Sequence, residues 1–220
     1  YEISVGDWSS DVCSSDLDAC SLASVPNGRT MGEIPELVRA LAAIKQAAAL
    51  ANADLGLLSP ERRDAIVAAC EEIRAGKLHD QFIVDQIQGG AGTSTNMNAN
   101  EVIANRALEI MGHQKGQYQF LHPNEHVNMS QSTNDVYPTA LRLATWKGIQ
   151  KLIGALSSLR GAFEIKAGEF ADILKMGRTQ LQEAVPMTLG QEFTAFGANL
   201  AEEQRTISGA ADRKSTRLNS

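Results

Sequence analysis

Apolar residues recur at intervals of three and four along most of this chain, a period that predicts helices rather than strands. In "EIPELVRALAAIKQAAALAN", Leu37, Val38, Leu41, Ile44 and Ala48 fall on one face. Pro35 suits a first helical turn, and Asn52 is expected to close the helix. "SPERRDAIVAACEEIRAG" predicts a second helix, with Ser59 as N-cap, Pro60 at the first helical position and Gly76 at the end. Its stripe is Ile66, Val67, Cys70 and Ile73, which makes Cys70 a packed thiol rather than a nucleophile. A third helix is expected from about Asn98 to Met111, closed by Gly112.

The longest predicted element begins near Pro138. Ile149, Leu152, Leu156, Leu159, Phe163 and Phe170 mostly keep a 3,4 spacing, the seam of a helical bundle. From 138 to 167 such a rod would run about 45 Å at ~1.5 Å per residue, too long to bury its stripe without other long helices. A further helix is expected from Leu189 toward Ile207, and no strand-rich segment competes, although "QFIVDQIQ" (81–88) suits a short extended piece. The expected class is all-α: an N-terminal helical domain followed by the first long helices of a central bundle.

The two ends break the pattern. Residues 1–17 and 213–220 carry neither period and resemble translated adapter sequence, or else ordinary disordered termini. The expected organisation is therefore a non-native or disordered leader at 1–17, an N-terminal helical domain at 18–136, a truncated bundle at 137–212 and a non-native tail at 213–220.

Composition narrows the field. The 220 residues are 43% hydrophobic with a net charge of -6, which suits a domain with a real core and argues against nucleic acid or an anionic membrane surface as partner. No run of apolar residues is long enough to span a bilayer, and the N-terminus has no secretory pattern. The three cysteines, Cys13, Cys20 and Cys70, form no metal or disulfide framework, so the expected setting is cytoplasmic.

Two segments carry the candidate chemistry. "QGGAGTSTNMNANE" (88–101) and "MSQSTND" (129–135) gather glycines, hydroxyls and amides just before helices, and "GRTQLQEAVP" (177–186) is a third polar stretch. No G-K-[ST] and no G-x-G-x-x-G in a βαβ setting accompanies them, so nucleotide binding is not indicated. Helix N-terminal amides joined by Thr93, Ser94, Ser132, Thr133 and Asn134 form a donor set suited to a carboxylate. Taken singly, each of these residues reads more simply as a helix cap. His122 and His126 are spaced i,i+4, but Pro123 lies between them and no third ligand is evident, so no metal site is expected. Glu125, Asp135 and Glu183 read as solvated or structural carboxylates, and Arg178 as an anchor of its own loop.

"GGAGTSTNMNANEVIANRALEIMG", "LHPNEHVNMSQSTNDVYPTALRLA" and "KMGRTQLQEAVPMTLGQEF" together resemble the aspartase/fumarase superfamily, in the family's order and over roughly residues 18–212. Details favour the aspartase branch. Fumarases typically read S-G-T-Q-S-N-M-N and Q-S-S-N-D where this chain has "AGTSTNMN" and "QSTND", and carry His where this chain has Gln180.

The resemblance implies reversible deamination of L-aspartate to fumarate and ammonia, with no organic cofactor, in a homotetramer. A proton leaves Cβ and the β-carboxylate becomes an aci-carboxylate dianion. Neutral donors bind that dianion more tightly as its charge grows, and so favour the intermediate over the substrate. By the family pattern Thr93, Ser132 and Thr133 would hold the β-carboxylate. Asn134, Thr179 and Gln180 would surround the departing amine, with His122 and Asn124 near a peripheral anion site. The family's base is a serine on a G-S-S-x-M-P loop, followed by a K-x-N segment. Neither string occurs in these residues. No catalytic base is therefore expected within this chain, which reads as an N-terminal fragment, inactive alone. The alternatives are a fumarase or another lyase of the superfamily, and a non-catalytic helical interaction module that keeps the clusters only as caps.

Overall fold

The computed structural model describes residues 29–87 and 92–212. The expected leader and tail, and residues 88–91 of the first glycine-rich stretch, lie outside the described residues. The chain divides into two compact units, Tyr1–Thr145 and Trp146–Ser220.

The first unit is built on α1 (Pro35–Asp54), α2 (Pro60–Arg74) and α3 (Thr93–Ile110). Pro35 and Pro60 open their helices, where a missing N–H costs nothing, and Ser59 Oγ accepts from Arg62 N as the predicted N-cap. Gly76 and Gly112 follow α2 and α3 with left-handed φ of 99° and 83°, as expected of helix-ending glycines. Asn52 does not close α1: the helix runs on to Asp54, and the side chain is buried for another purpose. A 15-residue helix such as α2 is marginal alone in water, so packing holds it. Leu37, Val38 and Leu41 meet Ile66, Cys70 and Ile73 in one core, which Ile103, Ala107 and Leu108 of α3 complete. Phe82, Val84, Leu121 and Val127 close its ends from the connecting segments. Each fully buried Leu, Ile or Phe contributes roughly 1.5–3 kcal/mol of transfer free energy. Arg106 ties α3 to α2 through two hydrogen bonds to Glu72, at 2.7 and 3.0 Å.

Two helix starts come earlier than the periodicity suggests. α3 begins at Thr93, not Asn98, and α4 spans Thr133–Glu169, with Pro138 inside it. The reason is shared: polar first turns carry no apolar stripe, so the period appears only after the helix has begun. "QFIVDQIQ" begins at the end of a short helical turn (His79–Gln81), and its described part makes one bridge, from Asp85 to Thr30, rather than a strand.

The second unit takes in the rest of α4, a hairpin and α5 (Leu189–Asp212). The hairpin corrects the expectation that no strand would compete. β1 (Leu174–Thr179) pairs antiparallel with β2 (Gln182–Thr188), with a bulge between Met176 and Arg178. Its two-residue turn places Gln180 and Leu181 at φ 50° and 61°, the left-handed region that Asn-Gly turns usually fill. Thr188 and Gln191 form a reciprocal cap for α5: Gln191 N donates to Thr188 Oγ1 at 3.1 Å, and Thr188 N donates to Gln191 Oε1 at 3.0 Å. Phe163 of α4 and Phe170, just past its end, stack edge-on with Phe193 of α5, centroids 5.7 and 5.2 Å apart. This covers part of the predicted seam. Leu152, Leu159 and Ile165 stay 47%, 47% and 65% exposed.

The strained turn and the open seam each generate an expected outcome. Leu181→Gly removes a left-handed penalty of about 1 kcal/mol, so the Arg178 and Glu183 amides should exchange more slowly with solvent; unchanged or faster exchange would refute the strain. The uncovered seam makes the 220-residue chain self-associate in sedimentation, and a stable monomer at micromolar concentration would contradict this.

Candidate active site

The first turns of α3 and α4 lie against each other. Gly92 precedes α3 with φ 77°, and a Cβ there would come within 2.5 Å of the Tyr137 ring in α4. One turn on, Asn96 Nδ2 donates to Thr133 Oγ1 at 3.1 Å. Thr93 therefore opens α3 beside the segment that carries Ser132, Thr133 and Asn134. Two clusters far apart in sequence form one polar face of the first unit.

Within this face the residues divide by role. Ser132 caps α4: its Oγ accepts from Asn134 N at 3.2 Å, and its carbonyl accepts from Asp135 N and Val136 N. Thr133 is not the cap. Its hydroxyl oxygen is occupied by Asn96, and its own hydrogen has to point elsewhere. Thr93 and Asn134 are exposed. Thr179 and Gln180 belong to the second unit, at the end of β1 and in the strained turn. Arg178 and Glu183 sit opposite each other in the hairpin register, both exposed.

Behind the 129–135 stretch lies a set of polar residues that no sequence motif singles out. Lys45 of α1 is 0% exposed, and its Nζ donates to Asn128 Oδ1 at 2.8 Å. Asn52, a residue the helix pattern presents as a terminator, donates from Nδ2 to Met129 O at 3.0 Å. Asn128 Nδ2 donates to Gln131 O, and Gln131 Nε2 donates back to Val127 O and Met129 O. Asn96 Nδ2 joins the same Asn128 oxygen at 3.2 Å. The loop before α4 is thus pinned by buried amides and one amine, with Ser130 at φ 60°. A signal for this is present in the sequence: Lys45 and Asn52 continue the spacing of Val38 and Leu41, placing a charge and an amide on an apolar stripe.

The two histidines are engaged locally. His122 Nδ1 accepts from Asn124 N and Glu125 N, capping a π-helical turn (Pro123–Val127), and His126 Nδ1 accepts from His122 N at 2.8 Å. Burial, with help from nearby Arg62, lowers the His126 pKa and favours this neutral acceptor form. Among the described residues no three His, Cys, Asp or Glu side chains are grouped to hold a metal ion, and no helix is long and apolar enough to cross a membrane.

The first unit thus joins the first turns of two helices in one polar face lined by neutral donors. Residues 22–220 match the family described as Lyase, and the chain belongs to that family. It is 56% identical over 203 residues to the aspartate ammonia-lyase of Pseudomonas fluorescens, covering 90% of this chain and 42% of that protein. It is 62% identical over 162 residues to the aspartate ammonia-lyase of Helicobacter pylori, covering 74% and 35%. Among solved structures, the fumarate lyase:delta crystallin of Brucella melitensis in native form superposes with a TM-score of 0.86 at 54% identity, covering 89% of this chain and 46% of that one. The chain spans less than half the length of the curated relatives it matches.

The buried amine gives a pH test. Burial lowers the Lys45 pKa from its ordinary 10.5 to about 7, with Cys70 offsetting a little. Below about 7 both folded and unfolded chains carry this proton. Above it the unfolded chain still binds the proton and the folded chain has released it, so stability rises with pH toward 10.5. Burial also pushes the Cys70 thiol up to about 12, so in the folded chain it stays protonated over this range, and its contribution is common to wild type and Lys45→Met. Between pH 6.5 and 8.5 the thermal midpoint of the wild type should therefore climb relative to Lys45→Met. A constant gap would show that the amine does not titrate in this window.

Proposed function

We propose that the full-length protein is an aspartate ammonia-lyase, a carbon-nitrogen lyase that interconverts L-aspartate with fumarate and ammonia. The observation that carries this reading is the 56–62% identity to proteins of that name along most of this chain. The paired helix termini support it, because neutral donors such as Thr133 and the helix amides suit a carboxylate whose charge changes during the reaction.

In this mechanism a base takes the proton from Cβ, and the electron pair moves into the β-carboxylate to form the aci-carboxylate. The pair then returns to form the Cα–Cβ double bond as the C–N bond breaks, and the amine leaves as ammonia. Thr93, Ser132 and Thr133 hold the β-carboxylate, and the helix amides beside them add donors that need no reorganisation. The family pattern assigns the amine to Asn134 and, independently, to Thr179 and Gln180, and Gln180 orients ammonia because an amide cannot supply a proton. No organic cofactor takes part. The base belongs to a serine loop whose motif these 220 residues do not contain, so the isolated chain is inactive. The full-length protein is a homotetramer, a reading supported by the apolar positions left open on α4.

Two assays test this. The full-length protein should release ammonia from aspartate, whereas conversion of malate without ammonia release would make it a fumarase instead. In that enzyme Thr133→Val should lower turnover at saturating aspartate by roughly 10²–10³, about 3–4 kcal/mol, while Thr133→Ser stays within about tenfold of wild type. Equal turnover in the valine variant would remove Thr133 from the substrate site.

A further inference from the structure

The direction of the Thr133 hydroxyl is set from behind the site. Lys45 Nζ is the donor in its contact with Asn128, so the atom that faces it is an acceptor whether or not the amine carries its extra proton. Asn128 meets this with Oδ1, and its Nδ2 turns the other way to Gln131 O at 3.2 Å. That orientation dictates the next one. With an amide oxygen facing it, Asn96 presents Nδ2, which gives one hydrogen to Asn128 Oδ1 at 3.2 Å and the other to Thr133 Oγ1 at 3.1 Å. A hydroxyl oxygen that accepts from Asn96 sends its own hydrogen elsewhere.

We propose that Lys45 is a positioning residue for the lyase reaction, acting through Asn128 and Asn96 to aim the Thr133 hydroxyl hydrogen at the substrate carboxylate. The proposal rests on the reading of Thr133 as a carboxylate donor. Each link is buried or half-buried, with Lys45 0% and Asn96 1% exposed, so a reversed amide meets little water to compensate it. Without the amine both amides are free to turn over. Asn96 Oδ1, which has no partner among the described residues, would then face Thr133 and capture its hydrogen inward. The hydroxyl would remain in place and point the wrong way. Lys45 thus never touches substrate, and its effect passes entirely through Thr133.

That last feature makes the proposal testable by a double-mutant cycle in the full-length enzyme, read as turnover at saturating aspartate and, in parallel, at saturating malate. Thr133→Val should lose roughly 10²–10³ in turnover, and Lys45→Met tenfold or more with a smaller change in KM. The double variant should match Thr133→Val within about twofold, because a hydroxyl that is absent cannot be misdirected. Multiplying losses, or normal turnover in Lys45→Met, would overturn the proposal and leave Lys45 a packing residue. Should Lys45→Met fail to fold, Asn96→Asp takes its place in the cycle. Its carboxylate can only accept, so it should capture the Thr133 hydrogen and show the same non-additivity. Wild-type enzyme that acts on malate but not aspartate would overturn the substrate assignment alone, with the cycle then read on malate. Inactivity toward both would overturn both.

Discussion

A buried amine bonded to one amide oxygen governs the polar half of the first unit. Lys45 enters the core on the same helical stripe as Val38 and Leu41, where a charge is expensive, and its stem packs as a hydrophobe while Nζ reaches Asn128. From that contact the loop before α4 takes its course: Asn128 fixes Gln131, Asn52 holds Met129, and Asn96 ties the arrangement to α3. The hydrophobic core brings three helices together. The amine and its amides then decide how the 129–135 segment leaves them.

This division of labour explains what is readable in the sequence. The apolar stripes and proline openings of α1 and α2, the glycine endings of α2 and α3, and the buried Cys70 all follow from local patterns and stand in the structure. The polar clusters are visible too, as runs of small hydroxyl and amide residues before a helix, although each residue singly reads as a cap. The starts of α3 and α4 are not, since a polar first turn lacks the stripe that marks a helix. The hairpin is hidden for a different reason. Its turn is Gln180–Leu181 rather than Asn-Gly, and Pro186 inside β2 argues against a strand.

The supporting network is the least legible part. Lys45, Asn96 and Asn128 are far apart in the chain, and each has an ordinary explanation where it stands: a helix lysine, a helix asparagine, a loop asparagine. Only folding makes them neighbours. Their significance lies in hydrogen-bond direction, a property that no single position carries. The same holds for Ser132 and Thr133, adjacent hydroxyls of similar chemistry. One accepts from the helix end and the other from Asn96, and each keeps its own hydrogen to give.

Gly92 carries a consequence of its own. Its left-handed backbone and the Tyr137 ring 2.5 Å from where a Cβ would sit exclude a side chain twice over. Every single-base change in a glycine codon that alters the amino acid introduces a Cβ. A lineage carrying this contact therefore has no one-step route away from glycine at position 92 that leaves Tyr137 in place. The aromatic ring must shrink or shift first, and the order of the two changes is imposed by geometry.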